Sequence, residues 1–130
     1  MRLKWGEEKG QAMVETALVI PILLLLLFGV IDVSRVLHAS LTVENAAREG
    51  ARLAALGGSD AEVSARAAAA AFSLPAEQLV VAVDPPEGGR TSGGTVTVSV
   101  DYSVPILAPM IGDLIGSPFP VSGSSSTRVE

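Results

Sequence analysis

Polar and apolar positions divide the chain into four stretches. The first ten residues are mixed in character, and from Ala12 to Ile31 the sequence turns almost wholly apolar, with no charge between Thr16 and Ile31. About 20 such residues are what a helix needs to cross a bilayer. The run is longer than the roughly 7–15 residues of a secretory h-region, and no A-x-A-like cleavage site follows it. Asp32-Val33-Ser34-Arg35 continues the helical pattern instead. A plain signal anchor accounts for everything here except Gly10 and the lone carboxylate Glu15. Burying that carboxylate in lipid costs roughly 2.5–3.5 kcal/mol or more at the centre of a span. Pro21 has no N–H to offer the carbonyl of Ala17, which predicts a kink. Gly29 would let another backbone approach closely.

The helical period persists beyond the apolar run. At about 100° per residue, Val33, Ser40, Val43, Ala47, Gly50, Ala51 and Ala54 fall within about 60° of Val36. Arg35, His38, Thr42, Asn45, Arg48, Glu49 and Arg52 lie on the other side. The expectation is one continuous helix of roughly 65–70 Å, with a small-residue stripe as its packing face, ended near Leu56 by Gly57-Gly58. Asp32 breaks the apolar side and is read as the outer membrane boundary. Ser59-Asp60-Ala61-Glu62 then has the form of a capping box, opening an alanine-rich helix to Phe72 that Pro75 follows.

From Gln78 the period changes to two. Leu79 to Val83 reads as a buried strand, and Asp84 to Gly94 as a loop. Thr95 to Tyr102 alternates valines with hydroxyls, the pattern of a half-buried strand. A third strand is expected from Phe119 to Val129. The long helix, with Ala68, Ala71 and Phe72 of the second, would cover the apolar face of the sheet. Pro105 to Gly116 is too broken by proline and glycine for a long helix. It is read as a loop capping the core at the sheet edge, or else as an exposed apolar patch that docks on a partner or a membrane surface. The expected fold is therefore α+β: a long N-terminal transmembrane-plus-stalk helix, a second short helix, and a small antiparallel sheet of about three strands.

Charge and composition narrow the function classes. The net charge is −5, but the first ten residues carry three basic side chains against two acidic ones. A basic N-terminus before a span points to a cytoplasmic start and an outward head. The acidic remainder argues against nucleic-acid binding, which depends on neutralising phosphates. Cysteine is absent and His38 is the single histidine, which excludes a disulfide framework, a cysteine nucleophile and a multi-histidine metal centre. Gly88-Gly89 and Gly93-Gly94 lack the lysine and the helix of a phosphate loop. Ser122 to Ser126 has no strand-turn-helix elbow, and His38 is read as solvated. No catalytic residues, metal or cofactor are expected.

These residues together resemble the TadE-like pseudopilins of tight-adherence (Flp) pilus systems. The resemblance rests on the short charged leader, Gly10 followed by Glu15, Pro21 in a leucine-rich span, the run Asn45-Ala46-Ala47-Arg48-Glu49-Gly50-Ala51-Arg52, and the strand ending Thr127-Arg128-Val129-Glu130. Thr16 stands where such proteins often carry an aromatic residue. The resemblance implies a leader at 1–10, cut after Gly10 by an inner-membrane prepilin peptidase so that Gln11 becomes the N-terminus. It implies a span at 11–31, a stalk at 32–56 and an extracytoplasmic domain at 57–130. Glu15 would answer the N-terminal amine of a neighbouring subunit. The implied partners are other pilins and pseudopilins, the pilus assembly platform and the lipid bilayer, and the implied role is that of a minor pilin. The competing reading is an unprocessed bitopic protein that recruits partners through its small-residue stripe.

Overall fold

The computed structural model describes residues 4–130, with side chains from Gly6 onward. Arg2, one of the basic residues of the first ten, lies outside the described residues. Helix α1 runs from Lys4 to Ala55 and continues through Pro21. At 1.5 Å per residue its 52 residues extend roughly 78 Å. It exceeds the expected length because it begins at Lys4, ahead of the apolar run. Gly57, at φ +89°, ends it. Gly58 N donates to Leu53 O at 3.0 Å and Gly57 N to Ala54 O at 3.2 Å, the paired bonds of a Schellman cap.

Helix α2 spans Asp60–Ala70. Ser59 Oγ accepts from Glu62 N at 3.2 Å while Glu62 Oε2 accepts from Ser59 N at 2.8 Å, so the capping box forms as the sequence predicts. Val63, Ala67 and Ala71 face inward. Phe72, expected to cover the sheet, is 89% exposed. The helix ends at Ala70, and the turn that follows carries the phenyl ring away from the core.

The sheet contains β1 (Val80–Asp84), β2 (Thr95–Val104) and β3 (Phe119–Arg128), antiparallel in the order β1-β2-β3. In register, Val98 lies opposite Val83 on one side and Ser125 on the other, and Val100 opposite Gly123. Val96, Val98, Val100 and Val104 turn inward from β2 as the alternation predicts. β1 is not the buried strand its continuous apolar run suggests. It is an edge strand of a sheet covered on one face, so Val81 and Val83 are half-buried while Val80 is exposed.

α1 lies across β2 and β3 and against α2. The core where they meet consists of small residues: Ala39, Val43, Ala46, Ala47, Ala51, Ala54, Val63, Ala67 and the β2 valines. With no large side chain fully buried between the layers, helix and sheet approach closely, and glycine occupies the nearest points. A Cβ added at Gly50 would lie 3.0 Å from Val98 Cγ1 and 3.4 Å from Val63 Cγ1, at the junction of α1, α2 and the sheet. Val33, placed on the packing stripe by periodicity, is exposed. The sheet begins to cover α1 only near Ala39, so Val33 has nothing to pack against.

Two polar ties close the head. Glu130 N donates to Ala55 O at 3.1 Å, fastening the end of the chain to the end of α1. Arg90, its side chain only 6% exposed, reaches from the β1–β2 loop to Gly58 O at 2.6 Å and Pro85 O at 3.3 Å, and pairs with Asp60. This buried arginine satisfies the turn between α1 and α2, a role that nothing in its neighbouring residues announces.

Candidate functional site

The functional residues predicted from the sequence all lie on α1, in two groups with opposite surroundings. In the first, Gly10, Gln11, Glu15, Pro21 and most of the apolar span stand clear of the rest of the chain. Leu18, Ile22, Leu23 and Leu26 are each 58–67% exposed. Among the described residues this is the one helix long and apolar enough to cross a membrane, and it leaves its apolar window wholly unburied. A soluble protein would not leave so continuous an apolar surface to water, so the segment fits a membrane anchor. Thr16 Oγ1 donates to Ala12 O at 2.8 Å, satisfying its hydroxyl within the helix. Glu15 has no hydrogen bond or ion pair within the described residues. A carboxylate within an apolar span needs a partner or water.

The second group is Ala47, Gly50, Ala51 and Ala54, fully covered by α2 and the sheet. The run Asn45 to Arg52 therefore divides its work between two faces. Ala46, Ala47, Gly50 and Ala51 seat the head, while Glu49 accepts from Arg66 of α2 at 3.0 Å and Arg48 pairs with Glu44 at 3.1 Å. Both pairs are solvent-facing and worth at most about 1 kcal/mol each. Because the chain's own sheet occupies the small-residue stripe, that face is closed to outside partners. Gly29 lies on the span and is met by a segment that periodicity did not bring there: Ile111 Cδ1 would be 3.9 Å from a Cβ at Gly29.

Ile111 opens α3 (Ile111–Ile115), a single turn inside Pro105 to Gly116. This segment does not lie over the sheet edge. It folds back against α1, and the residue that holds it is Asp32, read from the sequence as a boundary marker. Asp32 is buried at 4% exposure. Its carboxylate accepts from Leu107 N at 3.0 Å and Ala108 N at 2.7 Å. Arg35 Nη1 stands 3.4 Å from Asp32 Oδ1 and donates to Pro105 O at 2.7 Å. Burial pushes the carboxyl up, but the two backbone donors and the Arg35 charge outweigh it and hold the group below the usual carboxylate range. Asp32 thus joins two segments 75 residues apart in sequence, and its neighbours in the chain contain no signal of that.

His38, expected to be solvated, is exposed but meets Ser73 Oγ at 3.1 Å through Nε2. Among the described residues no group of three or more histidine, cysteine or acidic side chains is gathered as a metal site. The shallow depressions beside α2 are lined by Asn45, Glu49, Arg66, Ala69 and Ala70, and by Glu49, Arg52, Leu53, Leu56 and Arg66. They hold an ion pair and a methyl-lined wall, with no nucleophile beside a base.

Residues 10–52 match a family model described as TadE-like protein. The match begins at Gly10, crosses the span and ends at Arg52, the last residue of the small-and-charged run. It covers the apolar span and α1 as far as Arg52, while the end of α1, α2 and the sheet lie beyond it. No curated protein and no solved structure matches the chain.

Proposed function

We propose that this TadE-like protein is a minor pseudopilin, processed at its leader and used in assembling a tight-adherence (Flp/type IVc) pilus. One observation carries the reading: the family match starts at Gly10 and runs over an apolar span whose Glu15 has no hydrogen bond or ion pair among the described residues. An amine and a carboxylate, each costly alone in lipid, become tolerable as a pair. Cutting after Gly10 by a membrane prepilin peptidase would create such an amine at Gln11, and Glu15 of one subunit would receive the amine of the next. Pro21 would let the span bend as it leaves the bilayer for an assembly of pilins and pseudopilins on its platform. The leader would face the cytoplasm and the head the extracytoplasmic side. The protein would act by anchoring and packing, without catalysis.

The test is mass spectrometry of the full chain extracted from the membrane of a peptidase-positive host. The expected N-terminus is Gln11 in the parent and an uncut leader in Gly10→Ala; a parent still beginning at Met1 rejects processing. Glu15→Gln should be cut normally yet lower pilus output about tenfold or more, the effect of roughly 1.4 kcal/mol lost per contact. Normal output from that variant would reject the pairing.

A further inference from the structure

The segment Pro105 to Gly116 carries four exposed large hydrophobic side chains, and it does so from a braced conformation. Ile106 N donates to Ser117 Oγ at 3.3 Å, closing its base. Asp32 and Arg35 hold Pro105, Leu107 and Ala108, and Leu114 N donates to Met110 O at 3.3 Å. From this frame Leu107, Met110, Leu114 and Ile115 project at 54%, 80%, 85% and 52% exposure. The single charge in the segment, Asp113, lies about 200° around α3 from Ile111 by helical spacing.

The height of the segment on α1 indicates what covers it. Ile111 sits over Gly29, inside the apolar span and three residues before Asp32. That is about 4.5 Å along the helix axis toward the middle of the span. Interfacial helices bury their apolar face about 5–10 Å into the boundary between headgroups and acyl chains. When the span crosses a bilayer, the exposed side chains of this segment therefore arrive at that boundary beside it. Lipid is the covering surface already present at that level.

We infer that Pro105 to Gly116 is a second membrane contact, with α3 seated in the interface next to the span and Leu107, Met110, Leu114 and Ile115 contacting lipid. The inference goes beyond the pilus role and rests only on the membrane anchoring within it. The head would then be held to the bilayer at two points, α1 and α3, which limits its tilt and rotation. With one acidic residue and no basic one in the segment, a zwitterionic surface suffices.

The chain has no cysteine, so single cysteines can be labelled cleanly. Met110→Cys and Leu114→Cys, with Leu18→Cys in the span and Ser124→Cys on the exposed face of β3 as references, would carry a polarity-sensitive fluorophore. The full chain would be placed in phosphatidylcholine nanodiscs containing lipids spin-labelled near the headgroup, or with aqueous iodide. Labels at 110 and 114 are expected to be quenched by the lipid spin label roughly tenfold more than the label at 124. If 110 and 114 respond to iodide as 124 does while 18 stays shielded, the second contact is rejected and the anchor stands. If 18 also responds to iodide, the anchor reading fails and the inference with it. Shielding of 110 and 114 from both quenchers would show protein as the cover and reject lipid.

Discussion

Replacing Gly123 by valine is expected to prevent the head from folding, and even alanine there should cost about 3 kcal/mol, the upper end for an overpacked core. Gly123 lies on the inward face of β3 opposite Val100. An added Cβ would fall 2.5 Å from Val43 C, Val43 O and Glu44 N, all backbone atoms of α1. A side chain in the way can change rotamer, but a helix backbone cannot. α1 would have to lift from the sheet, opening the contacts of Val43, Val96, Val98 and Val100, which are now fully buried. Small domains have only about 5–15 kcal/mol of stability in total, so the larger valine exceeds what the fold tolerates. The measurement is hydrogen exchange of the β2 and β3 amides with the full chain in detergent, where the span helix remains formed in either case. Ser124→Val on the exposed face of the same strand should shift stability by no more than about 0.5 kcal/mol. Wild-type protection in Gly123→Ala would mean that helix and sheet are not in such close contact.

That glycine also shows where a sequence stops being readable. The capping box at Ser59 and Glu62, the Gly57 terminator and the valine alternation of β2 are signals completed within a few residues, and each forms as expected. So do the long first helix, the second helix and the three strands, because hydrophobic period reports which faces are covered. Period does not report where cover begins or what provides it. Val33 has the right phase but lies below the sheet, and Phe72 lies two residues past Ala70, where the helix ends. Gly123, Arg90 and Asp32 act through contacts 30–80 residues away, and each looks ordinary among its neighbours. The proposed processing residues are the opposite case. Gly10 and Glu15 are legible only as a local motif, and the partners proposed for them are other molecules.

Asp32→Ala is expected to release Pro105 to Gly116 from α1 at a cost of about 2–4 kcal/mol, because it leaves the N–H groups of Leu107 and Ala108 without an acceptor. Asp32→Asn keeps one acceptor oxygen and should cost about half as much. Arg35 is partly exposed and returns to water, so losing its partner adds little. The sheet should stay protected in both variants while amide exchange rises at 106–108, since the segment packs on the lower stalk and not under β2. The same linkage sets a pH dependence. The Asp32 carboxyl titrates lower in the folded chain than when unfolded. Its contribution is therefore fully present above the ordinary carboxylate value near 4 and is lost as pH falls through the lowered folded value. Exchange at 106–108 in the parent should thus be constant from neutral pH down to about pH 4 once corrected for intrinsic rates, and rise only below it. In Asp32→Asn that dependence should vanish. Retained protection at 106–108 in Asp32→Ala would show that apolar contact at Gly29 alone holds the segment. A pH step persisting in Asp32→Asn would assign the titration to another carboxylate.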